Sequence, residues 1–422
     1  MRRTGPGRLV ATSLALVVAL ALSATATAAG SPRRWVPTSG TARVAATSCP
    51  GEGKIEHLGS SIAVTGSLAV VGIADETDLG EPFRGVADVL TDGPGGWAQT
   101  AQLTAADGDK FDGFGDAVAA SPTTVVVSAT NKGNGPTGSG TVYLFTEQAG
   151  GWTQAAELPH PFGTYGFGAE LSMSGRTIVV GASQSAFVVV RSGRHWQVEG
   201  ALPALQPVPM DFGSAVSVFG HTIVVGAPAA SDGGVSQGGA AYVFTESAGV
   251  WALAATLLPP NPTPNGLFGY TVCADGSTVV VGAPGQSGNG GTEQGAAFVF
   301  VRHHATWTET QELTGGDEGL DEFGVSVSAV GPTLVVGSPE HAVGENAGEG
   351  AGYVFSRVGG VWTQVAELDG SDSLAGDNFG QAVTVSGDGI GVGAVWRNPD
   401  AVYLFSGGGA DWVQSFEFTD TS

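Results

Sequence analysis

A Phe-Gly pair returns along this chain at Phe114-Gly115, Phe167-Gly168, Phe212-Gly213, Phe268-Gly269, Phe323-Gly324 and Phe379-Gly380, with a degenerate copy at Leu58-Gly59. Tryptophan keeps the same beat at Trp97, Trp152, Trp196, Trp251, Trp307, Trp362 and Trp412. Beyond each stands an apolar residue: Leu103, Leu158, Leu202, Leu257, Leu313, Leu368 and Phe418. Independent markers thus agree on seven units of roughly 50 residues. A period of that length constrains the fold more tightly than any single motif.

Each unit holds four apolar runs separated by turn residues. In the fourth, strand A is FGSAVSV, strand B is TIVVGAP, strand C is GAAYVF and strand D is WALAATL. Strand D alternates with period two, so Trp251, Leu253, Ala255 and Leu257 are expected on one face. The 69 Gly and 22 Pro fit short strands and tight turns and disfavour helices. A lone four-stranded unit has two apolar faces and little core of its own. Radial stacking covers both faces, so the expected fold is all-β, a seven-bladed β-propeller of four-stranded antiparallel blades. The blades fall at about 57–104, 113–159, 166–203, 211–258, 267–314, 322–369 and 378–419.

Phe-Gly opening strand A and Gly-Ala-Pro closing strand B resemble the FG-GAP repeat family, which includes the integrin α-subunit propeller and many secreted bacterial proteins. Gly226-Ala227-Pro228 and Gly282-Ala283-Pro284 carry the second half of the motif, with Gly337-Ser338-Pro339 and Gly181-Ala182-Ser183 as variants. The resemblance implies a propeller with an extracellular recognition role. The Asp-rich calcium cage of integrin-like repeats does not carry over. The A–B links (VFGHT, SGRT, DGST) are too short for a cation needing six to eight oxygen ligands.

Residues 1–28 read as a secretory signal: Arg2, Arg3 and Arg8, an apolar run from Leu9 to Leu22, then Ala26-Thr27-Ala28. The run is too short to span a bilayer, so no transmembrane segment is expected in the mature chain. Residues 29–56 read as a flexible segment before residues 57–419. Export permits a disulfide between Cys49 and Cys273, but Cys273 stands where other repeats carry Ala, Ser or Thr, and the pairing is not favoured. The formal charge of −23 excludes nucleic acid as a partner and favours cations or basic partners.

Strands alternate in direction, so B–C and D–A connections emerge on one face, A–B and C–D on the other. The first set is long, variable and acidic; binding residues concentrate on such loops. Candidate binding residues are Asp75 and Asp78 in the first B–C loop, and three acid-dense D–A loops: Asp107, Asp109 and Asp112; Asp317, Glu318, Asp321 and Glu322; Asp369, Asp372 and Asp377. Asp107, Asp109 and Asp112 are weak candidates for Ca²⁺, with Lys110 working against them. No cofactor is required.

Catalytic motifs are poor. Gly234-Val235-Ser236-Gln237-Gly238 fits a nucleophile-elbow pattern, but in a Gly-rich loop with no helix after it. The seven His lack metal spacing. Most axis-lining positions of strand A are small or apolar, with Asp116 and Glu170 as the main exceptions. The reading is a secreted, monomeric, non-catalytic module that binds an extracellular protein or glycan through the acidic long-loop face. Alternatives are a glycan lyase or hydrolase and a structural envelope protein.

Overall fold

The computed structural model describes residues 42–46 and 58–420, apart from 75–83, 134–137, 150, 162–164, 204, 206, 232–233, 288–293, 316–318, 388 and 398. Among the described residues there is no α-helix. Seven sheets form, each built from four consecutive antiparallel strands in the order A, B, C, D. In blade four these are Ala215–Phe219, Thr222–Ala227, Ala240–Ser247 and Val250–Leu257. Each strand A meets the next blade's strand A, and blade one's meets blade seven's, which closes a ring. The seven-bladed propeller expected from the repeats is what forms.

Blade seven supplies all four of its own strands, ending with Asp411–Asp420. A fifth strand, Ala42–Ala46, joins it in parallel, with Ala42 opposite Phe416 and Ala46 opposite Asp420. The ring therefore closes by blade packing, not by exchange of a strand. The signal segment, Cys49 and residues 47–57 lie outside the described residues.

The repeat glycines mark where blade backbones touch. A Cβ on Gly226 of strand B would collide with the carbonyl oxygen of Gly269, the Phe-Gly glycine of the next blade. Gly269 itself has φ +92°, a left-handed conformation that only glycine adopts cheaply. Its neighbour Phe268 is fully buried and bridges to Gly239 of the preceding blade. The phenyl ring packs on Phe298 and Phe300, with centroids 5.5 and 5.9 Å away. The motif is thus a device for stacking blades, and its period is the blade period.

Strand D departs from the alternation read in the sequence. In every blade the C–D ladder slips by one residue, between Val243 and Phe244 in blade four and at the equivalent place elsewhere. Leu253 pairs with Phe244 and Ala255 with Val243, so Ala254 is an extra residue, a β-bulge. The bulge turns the second half of the strand over. Trp307 packs in the core between blades four and five, while Leu313 packs between blades five and six. The Trp and Leu series therefore serve successive interfaces, and Leu253 is left exposed. Burial of the tryptophans also varies: Trp412 is 1% exposed, whereas Trp307 is only half-buried.

A second set of bonds runs from blade to blade near the axis. The N–H of Ala274 donates to Ser217 Oγ at 2.9 Å, that of Val218 to Ser172 Oγ at 3.0 Å, and that of Val385 to Ser328 Oγ at 3.0 Å. Cys273 holds the same place in blade five: the Ala329 N–H points at its Sγ at 3.2 Å. Burial pushes the thiol up to about 11, although that N–H works the other way. Cys273 is thus a free, partly buried thiol standing in for the repeat's hydroxyl.

Candidate functional site

The acid-dense D–A loops are tied internally, by a residue that sequence reasoning passed over. Three positions after the strand-B alanine or serine, blades two, six and seven carry Lys132, His341 and Arg397. Two positions before the Phe-Gly pair the same blades carry Asp112, Asp321 and Asp377, all buried. Lys132 Nζ lies 3.3 Å from Asp112, His341 Nδ1 3.3 Å from Asp321, and Arg397 Nε 3.8 Å from Asp377. Blades four and five have Ala230 and Gln286 at the first position and Met210 and Gly266 at the second. In blades two to seven acid and basic partner come and go together. Setting the repeats side by side would have exposed this.

In blade two, Lys132 also reaches Asp107 Oδ2 at 3.0 Å, and the Tyr143 hydroxyl donates to Asp107 Oδ1 at 3.0 Å. Burial works against the Asp107 carboxylate, yet Lys132 and Tyr143 hold it below its ordinary range. The Asp109 N–H donates to Asp112 Oδ2 at 2.7 Å, leaving the exposed Asp109 side chain outside the tie. Blade seven repeats the plan. Asp372 accepts from the Tyr403 hydroxyl at 2.9 Å and pairs with Arg397, which also donates to Glu417 at 2.9 Å. Asp369 is buried nearby. Lysine and arginine therefore supply the positive charge that the sequence alone left to Ca²⁺ or a partner. Asp75, Asp78, Asp317 and Glu318 lie outside the described residues. No group of three or more His, Cys, Asp and Glu among the described residues is arranged to hold a metal ion.

With those acids engaged, the long-loop face is left with an apolar and aromatic surface. Trp396 in the B–C link of blade seven is 68% exposed and Leu320 before blade six is 66% exposed. Phe111, Tyr165, Met210 and Leu374 are also exposed in D–A loops. Two grooves meet at Glu322 and Glu340. One, of about 440 Å³, reaches Trp396 and Gln381; the other, of about 590 Å³, reaches Tyr270 and Leu320. Glu322, a candidate from the sequence, is thus a groove residue, while Asp321 beside it is buried in a tie.

At the axis the strand-A residues enclose a cavity of about 470 Å³. Its two acids are Asp116 of blade two and Glu170 of blade three. Asp116 accepts from the hydroxyl and, at 3.3 Å, the N–H of Thr130. Glu170 is enclosed by the ring; burial raises its carboxyl to about 7, against a small opposing effect of the Leu171 N–H. No Lys, Arg or His lines this cavity.

No described helix is long and apolar enough to cross a membrane. A search of the curated proteins finds no match. Among solved structures, the crystal structure of Saccharomyces cerevisiae Sqt1 is similar at 12% identity and TM-score 0.48, covering 84% of this chain and 84% of that one. The family described as FG-GAP repeat matches residues 97–145, 209–244, 251–300, 307–355 and 362–405. Each matched stretch but one begins at or just after the turn into strand D and ends within strand C, so it bridges two blades. The unmatched interval from 146 to 208 contains blade three, the blade that carries Glu170. With more than half of its length matched, this chain belongs to the FG-GAP repeat family.

Proposed function

We propose that this protein is an exported, non-catalytic recognition module that binds an extracellular protein or glycan through its long-loop face. The observation that carries the reading is the set of exposed Trp396, Leu320 and Tyr270 around two grooves that share Glu322 and Glu340. Exposed aromatic and apolar side chains on rigidly mounted loops are the usual material of binding hot spots. The carboxylates between them and the net charge of −23 favour a partner that brings basic or hydroxyl-rich groups. The ties of the buried Asp112, Asp321 and Asp377 stiffen the loops, which lowers the ordering cost of binding. The reading needs no cofactor. The N-terminal basic, apolar and small-residue pattern supports export.

The test is retention of secreted proteins and glycans on the immobilised propeller, compared with a Trp396→Ala/Leu320→Ser variant of unchanged melting temperature. The expected result is a species retained by the wild type and weakened at least tenfold by the variant. Equal retention by both would remove this face from the proposal.

A further inference from the structure

The short-loop end of blade three reverses the sign of the molecule's charge. From Leu171 to Val198 the chain has three arginines, one histidine and no Asp or Glu, although the whole chain carries 39 acids against 16 Lys and Arg. Arg176 stands in the A–B turn, Arg191 near the end of strand C, Arg194 in the C–D turn and His195 at the start of strand D. The ladder gathers all four at one blade end: Thr177 is opposite Val190, Arg191 opposite Trp196 and Ser192 opposite His195.

The sibling blades show what is unusual. Opposite the strand-D tryptophan, blades one, two and four carry Asp92, Glu147 and Glu246, where blade three carries Arg191. The N–H at that position donates to the residue before strand B, which is Arg176 in blade three and His221 in blade four. In blade four the two side chains form an ion pair, His221 with Glu246. In blade three both are arginines. Blades five and six also have an arginine opposite the tryptophan, Arg302 and Arg357, but set Ser277 and Pro332 against it. Among the described residues no carboxylate pairs with Arg176, Arg191, Arg194 or His195.

Two of the guanidinium groups are already held. Arg176 folds back and donates to the Arg191 carbonyl oxygen, from Nε at 3.0 Å and from Nη2, which leaves its Nη1 open. The Arg191 guanidinium lies over the Trp196 ring, 5.8 Å from the centroid, and its Nε is buried without an acceptor among the described residues. Arg176, Arg194 and His195 are exposed. Side chains fixed in advance lose less entropy when a ligand arrives. An oxyanion also relieves the repulsion between like charges set side by side. Phosphate suits three guanidiniums better than a carboxylate does: a phosphate ester carries about −1.5 to −2 charges near neutral pH and offers three acceptor oxygens. The planar guanidinium fork engages such oxygens two at a time.

We propose that the short-loop end of blade three is a phosphate-binding site formed by Arg176, Arg191 and Arg194, with His195 beside them. The chemistry is shared by free inorganic phosphate and by a phosphorylated sugar. The site lies on the face opposite the Trp396 and Leu320 grooves and does not rest on them.

The experiment is a phosphorus NMR titration of the full propeller near neutral pH and at fixed ionic strength, with inorganic phosphate and, separately, with glucose 6-phosphate. At least one probe should bind saturably. Tighter binding of the sugar phosphate marks a phosphorylated sugar, and equal or tighter binding of inorganic phosphate marks the free ion; both support the site. Arg176→His/Arg191→Glu installs the pair that blade four already carries, so it should keep the melting temperature while weakening binding at least tenfold. Arg194→Ser should weaken binding several-fold. Arg357→Gln removes a lone arginine from the same face and should leave binding unchanged. Failure of both probes to bind, equal binding by the double variant, or an equal loss in Arg357→Gln would overturn the proposal. So would galacturonate competing as well as phosphate, or a phosphoserine peptide binding more tightly than either probe. The Trp396→Ala/Leu320→Ser variant should bind phosphate as the wild type does, so this site and the loop-face reading fail separately.

Discussion

Trp251 and Leu257 leave the same strand on opposite faces of blade four, the tryptophan against blade three and the leucine against blade five. The bulge at Ala254 makes this happen, and its recurrence in every blade means each strand D seals two interfaces. Inserting a second residue beside Ala254 moves Leu257 one place along the ladder, onto the face of Trp251 and toward the wrong neighbour. The expected cost is about 3–5 kcal/mol, that of removing a buried leucine, read from the denaturation midpoint. Ala254→Ser, a surface change, should stay within about 0.5 kcal/mol.

The same geometry ranks the tryptophans. Trp412→Ala empties a site that is 1% exposed and should cost about 3–5 kcal/mol. Trp307 is half-buried at the rim of its core, so Trp307→Ala should cost roughly half as much. Urea midpoints of the two variants check the order; equal losses would contradict it.

Arg397 pairs with the buried Glu417, which is 1% exposed, at 2.9 Å and lies 3.8 Å from Asp377. Arg397→Met should destabilise by about 3–5 kcal/mol, because removing one member leaves a buried charge behind. Adding Glu417→Gln should recover part of the loss. Lys132→Met should cost less, since Asp107 is close to half exposed and water can take over its charge.

Glu170 makes stability depend on pH. Its folded value of about 7 lies above the ordinary 4.5, so its contribution is fully present below about 4.5 and lost as pH rises through 7. Glu170→Gln, which cannot ionise, should therefore melt above the wild type at pH 8.5, by up to about 3 kcal/mol. The gap should close by pH 4.5. A variant that gains nothing at high pH would show that the carboxyl is well solvated.

Cys273 should resist alkylation at pH 8 in the native protein, since burial raises its thiol to about 11, and should react once urea unfolds the chain. Mass spectrometry of the Cys273 peptide measures this. Cys273→Ser should be nearly neutral because Ser217 and Ser328 fill the same role. Cys273→Ala should cost about 1 kcal/mol for the lost bond.

Blade number, strand order and the division into long-loop and short-loop faces were legible in the chain itself, because they follow from local rules repeated seven times. A glycine where backbones touch, a β-branched run and a two-residue turn each leave a mark at a fixed position, and repetition lifts those marks above chance. The fate of the acidic loops was not legible. Asp112 and Lys132 are far apart in sequence and belong to different loops, so an isolated reading sees uncompensated carboxylates. Only the fold brings the basic group to them. The swap of Asp112, Asp321 and Asp377 against Lys132, His341 and Arg397 does leave a trace, but one that appears only when the repeats are superposed.

What the sequence determined by itself was the ring: seven equivalent surfaces, each too apolar to face water, satisfied together only by closing on one another. Tertiary structure decided where the irregularities point. A one-residue bulge carries no composition signal, yet it exchanges the two faces of strand D and moves Leu257 from one interface to the next. Glu170 and Asp116 were visible as exceptions within their repeats. Whether they faced solvent, a core or one another depended on the axial cavity that exists only when seven strands A converge. Side-chain chemistry is written residue by residue, but burial and juxtaposition belong to the closed ring, and burial is what changes the protonation of Glu170.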